Sequence, residues 1–402
     1  MERKILHVDV NNAFLSWTAV DMLEKGSKVD IRTIPSIIGG DESSRHGIVL
    51  AKSPIAKQFE IKTGEPIYFA RKKCPNIQIY KSDFNVYKKY SNALYNLLLE
   101  YTDKIERFSI DECFLDVTQY LNGRDLLEVA YEISKRVREE LKFTVNIGVA
   151  HNKLLAKMAS DFQKPNKVHT LLNDNEIHEK MWVLPISELF MVGKRTIPKL
   201  YNLGIKTIGN LAKYDKSILI KKFGKYGKQM WEYANGIDNS EVEYTKQEPK
   251  GIGNSITLAQ DITNLEKLDE ILLALTEQVA YRLRKYHLFA QVVSVQIKNS
   301  EFKVYSHQRK IDYPENTTKG IYNIAKDLLR ELYKGEAIRL IGVRVEKLSN
   351  ENEVQLSLFS STDNKKQEKL DKTLDSLKEK YGNEVITRAG KMNIDKIINL
   401  KE

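Results

Sequence analysis

Short apolar runs alternate along the chain with longer segments whose apolar residues recur at helical spacing. Residues 5–10 form a mostly apolar run that predicts a buried strand, and residues 14–24 continue with a helical pattern. The same patterns then predict a helix over 85–101, strands over 105–109 and 113–117, a helix over 126–141, a strand over 145–150 and a helix from about residue 153. This β-α-β-β-α-β order predicts one mixed sheet with helices packed on it.

The second half of the chain divides into segments of different character. Residues 171–240 give helical patterns broken by glycine turns, and the polar stretch 241–253 is typical of a linker. Residues 254–348 return to an α+β pattern, with helices predicted over 264–286 and 317–333 and strands over 289–298, 301–306 and 338–347. A charged tail follows from residue 349, with a helix predicted over 365–381.

Length and charge narrow the class of protein. The 402 residues are too many for one core, and 42% hydrophobic with 29% charged residues is typical of a folded multidomain protein. The net charge of +10 indicates a polyanionic partner, and between Lys194 and Lys228 ten basic residues face one acid. Two cysteines form no disulfide framework, and the sequence has no secretory leader and no apolar run long enough to span a membrane. We therefore expect a cytoplasmic protein.

Acidic residues stand where predicted strands end. Asp9 closes the first strand, and the pair Asp111-Glu112 lies between the two strands that follow the long helix. Carboxylates at strand ends can converge on one edge of a sheet, where two hard cations about 4 Å apart would assist an in-line phosphoryl displacement. The alternative is that these acids bond the backbone of a turn or face water, as turn acids commonly do.

Four segments carry a resemblance to a known family: residues 8–14 (VDVNNAF), 108–117 (FSIDECFLDV), 146–153 (NIGVAHNK) and 157–166 (KMASDFQKPN). In order, spacing and chemistry they resemble the motifs of the Y-family DNA polymerases, and a weaker resemblance continues to about residue 360. The Asp-Val-Asn wording at the first motif is closer to the UmuC branch than to the DinB branch, which usually has a second Asp there.

The resemblance implies an α+β multidomain enzyme shaped as a polymerase right hand. It implies a mixed-sheet palm, small fingers, a helical helix-hairpin-helix thumb and an α+β little finger that grips DNA. The expected boundaries are palm 1–10 and 80–170, fingers 11–79, thumb 171–240, linker 241–253, little finger 254–348 and tail 349–402. The implied activity is template-directed DNA synthesis of low fidelity that bypasses damaged bases.

The resemblance also assigns roles in the active site. Asp9, Asp111 and Glu112 would bind two Mg²⁺ ions, with the Val10 carbonyl as a further ligand. One metal would help to deprotonate the primer 3′-hydroxyl, and the other would hold the triphosphate and the leaving pyrophosphate. Phe14 would be the steric gate that rejects the 2′-hydroxyl of a ribonucleotide. Without the family context, Phe14 would be a core residue that opens an amphipathic helix.

Three further residues would bind the incoming nucleotide. Asn12 is part of the first motif and is assigned to the nucleotide on that basis. Lys164 matches the family lysine that reaches the triphosphate. Lys57 stands where many relatives have Arg after a Tyr, a place that holds Pro54 here, so a bidentate phosphate contact becomes a point charge. Ser53 is a candidate for the missing hydroxyl. Taken alone, each lysine is as well explained as a solvated surface residue.

The basic segment has the form of a helix-hairpin-helix. Gly193 would let backbone N–H groups approach a DNA phosphate, with Lys194 and Arg195 beside it, and such contacts do not depend on base identity. The alternative is an ordinary glycine turn in a helical bundle. In the 254–348 segment Arg344 is a candidate phosphate contact, together with other basic residues: Arg282, Arg284, Lys298, Lys303 and Arg339.

An apolar pentapeptide stands in the polar tail. Gln355, Leu356, Leu358 and Phe359, with Ser357 between them, resemble the bacterial sliding-clamp binding peptide. The two last apolar side chains would fill a hydrophobic pocket on the clamp. The alternative is an edge strand of the preceding domain.

The expected partners are primer-template DNA, dNTPs, the sliding clamp and accessory proteins of an SOS-type damage response, with the chain itself a monomer. Two rival functions remain open on the sequence. One is a non-catalytic, clamp-bound DNA-binding protein, which loss of an acidic motif residue would favour. The other is a two-metal nuclease or nucleotidyl cyclase on a similar sheet, and a nuclease would shorten a primer without needing dNTPs.

Overall fold

A computed structural model describes residues 2–40, 47–245, 248–350, 362–382 and 385–386. The chain divides into two compact units, one of Met1–Gly40 with Val49–Lys246 and one of Asp41–Ile48 with Gln247–Glu402. Within the described ranges, no helix is long and apolar enough to cross a membrane.

The first unit begins with a strand and a helix and then alternates the two. Its first elements are β1 (Ile5–Val10), α1 (Ala13–Glu24), β2 (Ser36–Gly39), β3 (Val49–Lys52), α2 (Pro54–Gln58), α3 (Ile67–Lys73), β4 (Gln78–Lys81) and α4 (Phe84–Leu99). They are followed by β5 (Ile105–Arg107), β6 (Glu112–Asp116), α5 (Leu126–Glu140), β7 (Val145–Ala150), α6 (Lys153–Ser160) and β8 (Val168–Leu171). Short helices complete the unit: α7 (Asp174–Glu176), α8 (Ile197–Tyr201), α9 (Ile208–Ala212), α10 (Lys216–Phe223) and α11 (Lys225–Ala234).

A five-stranded sheet in the order β5-β6-β1-β7-β8 organises this unit. Strand β1 is antiparallel to both of its neighbours, and all six of its residues are buried. It lies in the middle of the sheet because an uninterrupted buried strand needs hydrogen-bonding partners on both sides and cover on both faces. The predicted mixed sheet and its helices are confirmed, with β1 and β7 at the predicted bounds.

The two faces of the sheet carry separate cores. Alternate residues of β1, beginning with Leu6 and Val8, pack with α1, α4 and α5 in one apolar cluster. Residues of the opposite parity, Ile5 among them, belong to a cluster built by α6 and the short helices that follow. Asp9 has the parity of Ile5, so it lies on the face that α6 covers.

Helix α6 lies very close to the sheet. A Cβ at Gly148, on β7, would collide with the carbonyl oxygen of Ala156 and come within 2.6 Å of the Ser160 backbone nitrogen. Both of those atoms belong to α6, so only glycine fits at this place in the strand. The approach brings the side chains of α6 against the ends of β1 and β6.

A smaller three-stranded sheet, in the order β3-β2-β4, forms its own small core with α2 and α3. Strands β2 and β3 lie in the segment 11–79 that the sequence predicts as fingers, and β4 runs two residues beyond it. Helix α1, which falls in the same segment, packs in the core of the five-stranded sheet instead. The division of this unit into palm, fingers and thumb stays a prediction.

The second unit is an α+β domain, as predicted. Its elements are β9 (Gly251–Ile262), α12 (Leu265–Lys285), β10 (Phe289–Asn299), β11 (Val304–Glu315), α13 (Thr318–Leu332), β12 (Ile338–Ser349) and α14 (Thr362–Tyr381). The four long strands form one antiparallel sheet in the order β11-β10-β12-β9, with α12 and α13 packed in its core.

The prediction failed at two strands of this unit. Strand β9 was missed, and it begins inside the predicted linker, where Gly251 and Gly253 pair with β12. The two glycines fit there because a Cβ at either would press on Arg344 and the β12 backbone. Strand β11 starts at Val304 and extends to Glu315, well beyond the predicted 301–306, and its exposed polar residues hide it from a search for apolar runs.

Candidate active site

The pairing of β1 with β6 brings the predicted carboxylates to one edge of the large sheet. Asp9 is directly opposite Glu112 in the antiparallel register, and the Val10 backbone N–H donates to the Asp111 carbonyl oxygen at 3.1 Å. Asp9 is 6% exposed, while Asp111 and Glu112 are partly buried. The juxtaposition that the sequence predicts for these three residues is present.

Lys157 reaches this edge from α6. Its Nζ lies 2.8 Å from Glu112 Oε1 and 3.7 Å from Asp9 Oδ2, so one ammonium group serves both carboxylates. The side chain is only 9% exposed. Burying an ammonium group costs free energy unless it is paired, and these contacts supply the pairing.

Lys164 approaches from the loop after α6. Its Nζ donates to Asp9 Oδ2 at 2.7 Å and lies 2.9 Å from Asp161 Oδ1. Asp161 also contacts Lys157, at 3.2 Å, so it links the two lysines. The site is therefore a compact group of alternating charges, of which the sequence had singled out Asp9, Glu112 and Lys164.

Two buried asparagines fix the loop that carries Lys164. Asn11 accepts hydrogen bonds from Thr144 Oγ1 at 3.0 Å and the Asn166 N–H at 2.8 Å, and its Nδ2 donates to Asn146 Oδ1 at 3.1 Å. Asn146 Nδ2 donates to two carbonyl oxygens just before the loop, those of Ser160 at 3.1 Å and Gln163 at 3.0 Å. Because a carboxylate has no N–H, an aspartate at position 11 could not make the bond to Asn146.

Burial and the lysines oppose each other at the carboxylates. Burial raises the pKa of Asp9, although Lys164 and Lys157 beside it favour the charged form. The pKa of Glu112 is likewise raised by burial, against the hydrogen bond from Lys157. For Lys157 and Lys164 burial alone would lower the pKa, but their carboxylate partners outweigh it and the net shift is upward. Both lysines are therefore charged at neutral pH.

His7 is a fully buried residue beside Glu112. Its Nδ1 lies 2.7 Å from Ser160 Oγ, and since that hydroxyl donates to the Lys157 carbonyl oxygen, Nδ1 is the donor. Nε2 has no hydrogen-bond partner in the described part of the chain and lies 3.8 Å from Glu112 Oε2. Burial, with Lys157 and Lys164 nearby, holds the pKa of His7 well below its usual value, so the ring is neutral.

The donor set suits a hard divalent cation. Asp9, Asp111 and Glu112 offer carboxylate oxygens, the ligands that Mg²⁺ prefers. In the described part of the chain no three His, Cys, Asp or Glu side chains converge as a ready metal site. The present contacts explain this: lysines hold Asp9 and Glu112, and Asp111 accepts a hydrogen bond from Ser109 Oγ at 2.6 Å. The chemistry of the donor set therefore fits a hard cation, while two of its three carboxylates are paired with lysines.

Phe14 is the second residue of α1 and is half-buried among aromatic rings. It stacks on Tyr87 with ring centroids 4.5 Å apart, and the edge of Phe84 lies against it at 5.9 Å. The ring is therefore held in place by packing. Asn12 precedes α1 in a left-handed conformation (φ 49°) with an exposed side chain that makes no capping hydrogen bond.

Lys57, the candidate nucleotide ligand on α2, is not paired with the carboxylates of the site. Lys57 is exposed on α2 and forms no ion pair with Asp9, Asp111 or Glu112, all of which the structure describes. Ser53 is fully buried, and its hydroxyl caps α2 and donates to the Ile34 carbonyl oxygen at 2.7 Å. The idea that Ser53 supplies a phosphate-binding hydroxyl is wrong, because the backbone already uses that group.

Exposed surfaces carry the candidate DNA contacts Gly193, Lys194, Arg195 and Arg344. Arg284 is different: its side chain is 8% exposed and pairs with Asp375 at 2.6 Å, so it is not placed to contact a phosphate. Gly193, Lys194 and Arg195 are exposed just before α8, and nothing lies within 4 Å of a Cβ built on Gly193. In the second unit Arg344 is 54% exposed and pairs with Glu346 at 2.9 Å. It lines a concavity of about 610 Å³ on the sheet face. The clamp-like residues Gln355, Leu356, Leu358 and Phe359 lie outside the described residues.

The sequence analysis missed three residues of the site: Lys157, Asn11 and Asn146. Lys157 could have been found, because it stands four residues before Asp161 on the buried face of α6. The two asparagines give no such signal, since their role depends on strand pairing and on a loop that returns from a distance in sequence.

Comparison with family models matches both units. The model described as impB/mucB/samB family matches residues 8–161, and its C-terminal domain model matches residues 249–358. The chain is 50% identical over 389 residues to DNA polymerase IV of Clostridium acetobutylicum, covering 97% of this chain and 98% of that protein. It is 34% identical over 401 residues to DNA polymerase IV 2 of Bacillus subtilis, covering 97% and 95%.

Solved structures give the same family. A Y-family DNA polymerase chimera of Dbh and Dpo4 superimposes with a TM-score of 0.75 at 26% identity, covering 86% of this chain and 98% of that one. DinB from Sulfolobus solfataricus matches with a TM-score of 0.56 at 26% identity, covering 85% and 98%. The fold is the right-hand α+β fold that the resemblance implied.

Replacing Lys157 by Met should lower the free energy of unfolding by about 3 kcal/mol, because it leaves Glu112 and Asp9 buried beside fewer positive charges. Lys228→Met is the matched control: that lysine is 59% exposed and lies 3.8 Å from Glu232, so its loss should change stability by less than about 0.5 kcal/mol. Urea denaturation of the metal-free proteins measures both. Equal, small losses would contradict the assigned role of Lys157.

Proposed function

The chain belongs to the impB/mucB/samB family of Y-family DNA polymerases, and we propose that it extends a primer at the edge of its large sheet. Its activity is that of a DNA-directed DNA polymerase that performs translesion synthesis. The observation that carries this proposal is the juxtaposition of Asp9 with Glu112 across the β1–β6 pair, next to Asp111. Two lysines beside these carboxylates add the positive charge that a triphosphate needs.

Divalent metal chemistry is general to this family, and we propose two Mg²⁺ ions held by Asp9, Asp111, Glu112 and the Val10 carbonyl. Bound there, they would help the primer 3′-hydroxyl to lose its proton and stabilise the charge on the leaving pyrophosphate. The carboxylates would orient and charge-balance the site. Their hard oxygens and their position at one sheet edge support this assignment over zinc.

We propose that Lys164 contacts the incoming triphosphate, since it is partly exposed and stands next to Asp9. Phe14 would pack beneath the sugar as the steric gate. Its support is the aromatic packing that fixes its ring, because a mobile ring would exclude a 2′-hydroxyl poorly. Asn12 and Lys57 would contribute weaker contacts from exposed positions.

The partners proposed for this chain are primer-template DNA and a deoxynucleotide. Among similar solved structures are ternary complexes of Dbh, one of them titled an insertion complex. Gly193, Lys194 and Arg195 would contact duplex phosphates from the helical thumb, and Arg344 from the little finger. Their exposure and the net charge of +10 support this role.

We also propose the finer features that the family suggests. The chain would contact a sliding clamp through residues 355–359. It would act as a cytoplasmic monomer, with accessory proteins, in an SOS-type damage response. Its palm, fingers, thumb and little finger would have the bounds given above. The placement near the UmuC branch rests on Asn11 in the first motif and on the lysine at position 57. The relatives are named DNA polymerase IV or DinB, so the comparisons give that placement no support.

A primer-extension assay tests the central assignment. With Mg²⁺ and dNTPs the protein should extend a labelled primer, and the double substitution Asp111→Ala, Glu112→Ala should reduce the rate by about a thousandfold or more, because several kcal/mol of charge stabilisation are lost. Asp103→Asn, an exposed acid outside the cluster, is the control and should extend normally.

Other outcomes of that assay point elsewhere. If the wild-type protein fails to extend even with the clamp added, a non-catalytic DNA-binding role replaces this proposal. Shortening of the primer would instead indicate the nuclease.

Phe14→Ala tests the steric gate. Removing the ring opens space beneath the sugar, so the preference for dNTP over rNTP, measured as the ratio of kcat/KM values, should fall by about tenfold or more. Phe84→Ala is the control, because Phe84 touches the same aromatic group yet is not assigned to the sugar. Unchanged sugar preference in Phe14→Ala, with extension retained, would contradict the gate.

Leu358→Ala, Phe359→Ala tests the clamp contact. Loss of both pocket-filling side chains should raise the Kd for the bacterial sliding clamp by at least about tenfold. Ser357→Ala, at the polar residue between the two leucines, should leave the Kd unchanged. Surface plasmon resonance with immobilised clamp measures both values, and equal affinity of all three proteins would place the contact elsewhere.

A further inference from the structure

Lys164 is paired with one oxygen of the Asp9 carboxylate, the residue to which the proposed function assigns the metal. Its Nζ is 2.7 Å from Asp9 Oδ2, and Lys157 approaches that same oxygen to 3.7 Å. Asp9 is buried, so little room is left around its carboxylate for a second cation. A divalent ion and the Lys164 ammonium group therefore compete for the negative charge of the same carboxylate.

Asp161 is a second ion-pair partner for both lysines. It lies 2.9 Å from Lys164 and 3.2 Å from Lys157, and its side chain is 45% exposed. An ammonium group that leaves Asp9 keeps this partner and stays within a few ångströms of its first position. Asp161 can therefore keep a released lysine close to the site while Asp9 is left open to a metal ion.

We propose that metal loads this site by exchange: a divalent ion displaces Lys164 from Asp9, and Asp161 retains the released lysine where it can meet the triphosphate. Asp161 is thus a positioning residue, since it acts through Lys164 and touches no reacting atom. The inference rests on the proposed function, which assigns Asp9 to the metal and Lys164 to the nucleotide.

The exchange links two binding events. Before metal enters, Lys164 neutralises Asp9 and is not available to phosphate. Afterwards its charge is free of that carboxylate, so metal binding should favour nucleotide binding, and by reciprocity nucleotide should favour metal. The loop that carries Lys164 need not move far, because Asn146 holds its backbone at Gln163 and Asn11 holds it at Asn166.

Mn²⁺ binding to the full chain without DNA or nucleotide tests the exchange. Mn²⁺ stands in for Mg²⁺ because the free ion is counted directly by electron paramagnetic resonance. Lys164→Gln removes the competitor and should tighten Mn²⁺ binding by about three- to tenfold, the range for a partly exposed ion pair. Lys164→Arg keeps the ion pair and should bind Mn²⁺ within about twofold of the wild-type protein.

The matched control is Lys167→Gln. Lys167 is an exposed residue three positions along the same loop and forms no ion pair in the described part of the chain. Its loss changes the net charge equally, so it should alter Mn²⁺ affinity by less than about twofold. If both glutamine variants tighten Mn²⁺ binding equally, the effect comes from the net charge of the protein and the exchange is wrong.

A double-mutant cycle tests the role of Asp161. Asp161→Asn alone should weaken Mn²⁺ binding about threefold, because Lys164 then stays on Asp9. In the Lys164→Gln background the same change should have less than half that effect on a logarithmic scale. Full additivity would overturn the role of Asp161 as the second holder.

The proposed metal site is checked in the same experiment. Mn²⁺ binding should be lost in the Asp111→Ala, Glu112→Ala variant. Retention of binding there would overturn the metal site and the exchange together. Loss of binding there, with equal affinities in the Lys164→Gln and Lys167→Gln variants, would overturn the exchange alone.

Discussion

Charge neutralisation at one sheet edge is the constraint on which the rest of this structure depends. Asp9 and Glu112 face each other across two strands and are largely removed from water, an arrangement that is unfavourable unless positive charge lies beside them. Lys157 and Lys164 supply it, one from a buried helix face and one from a loop. The same four charges make the site suited to a divalent cation and a triphosphate.

The surrounding elements serve to bring those charges together. A central strand with neighbours on both sides fixes the register that sets Asp9 opposite Glu112. Close packing of α6 on the sheet, which requires glycine at position 148, carries Lys157 to the carboxylates. The amides of Asn11 and Asn146 then hold the Lys164 loop against the end of β1. The β1–β6 pairing and the bond from Asn166 to Asn11 join residues more than 100 positions apart in the chain.

What the sequence could predict follows from this geometry. Strands β1 and β6 were found because buried strands are apolar runs, and the family motifs supplied the roles of Asp9 and Glu112. Strand β9 was missed because glycines and polar residues hide a strand whose partner comes about 90 residues later. The work of Asn11 was missed for the same reason, since its partners at Asn146 and Asn166 become neighbours only in the folded chain.

The central claim is that Asp9, Asp111 and Glu112 together hold the metal ions of nucleotide transfer. Anomalous diffraction from crystals of the protein with primer-template DNA, a non-hydrolysable deoxynucleotide analogue and Mn²⁺ tests it most directly. The account predicts two Mn²⁺ peaks at the β1–β6 edge, both in contact with these carboxylates, with Lys164 turned toward the triphosphate. Peaks located elsewhere, or a bound nucleotide with Lys164 still paired to Asp9, would contradict it.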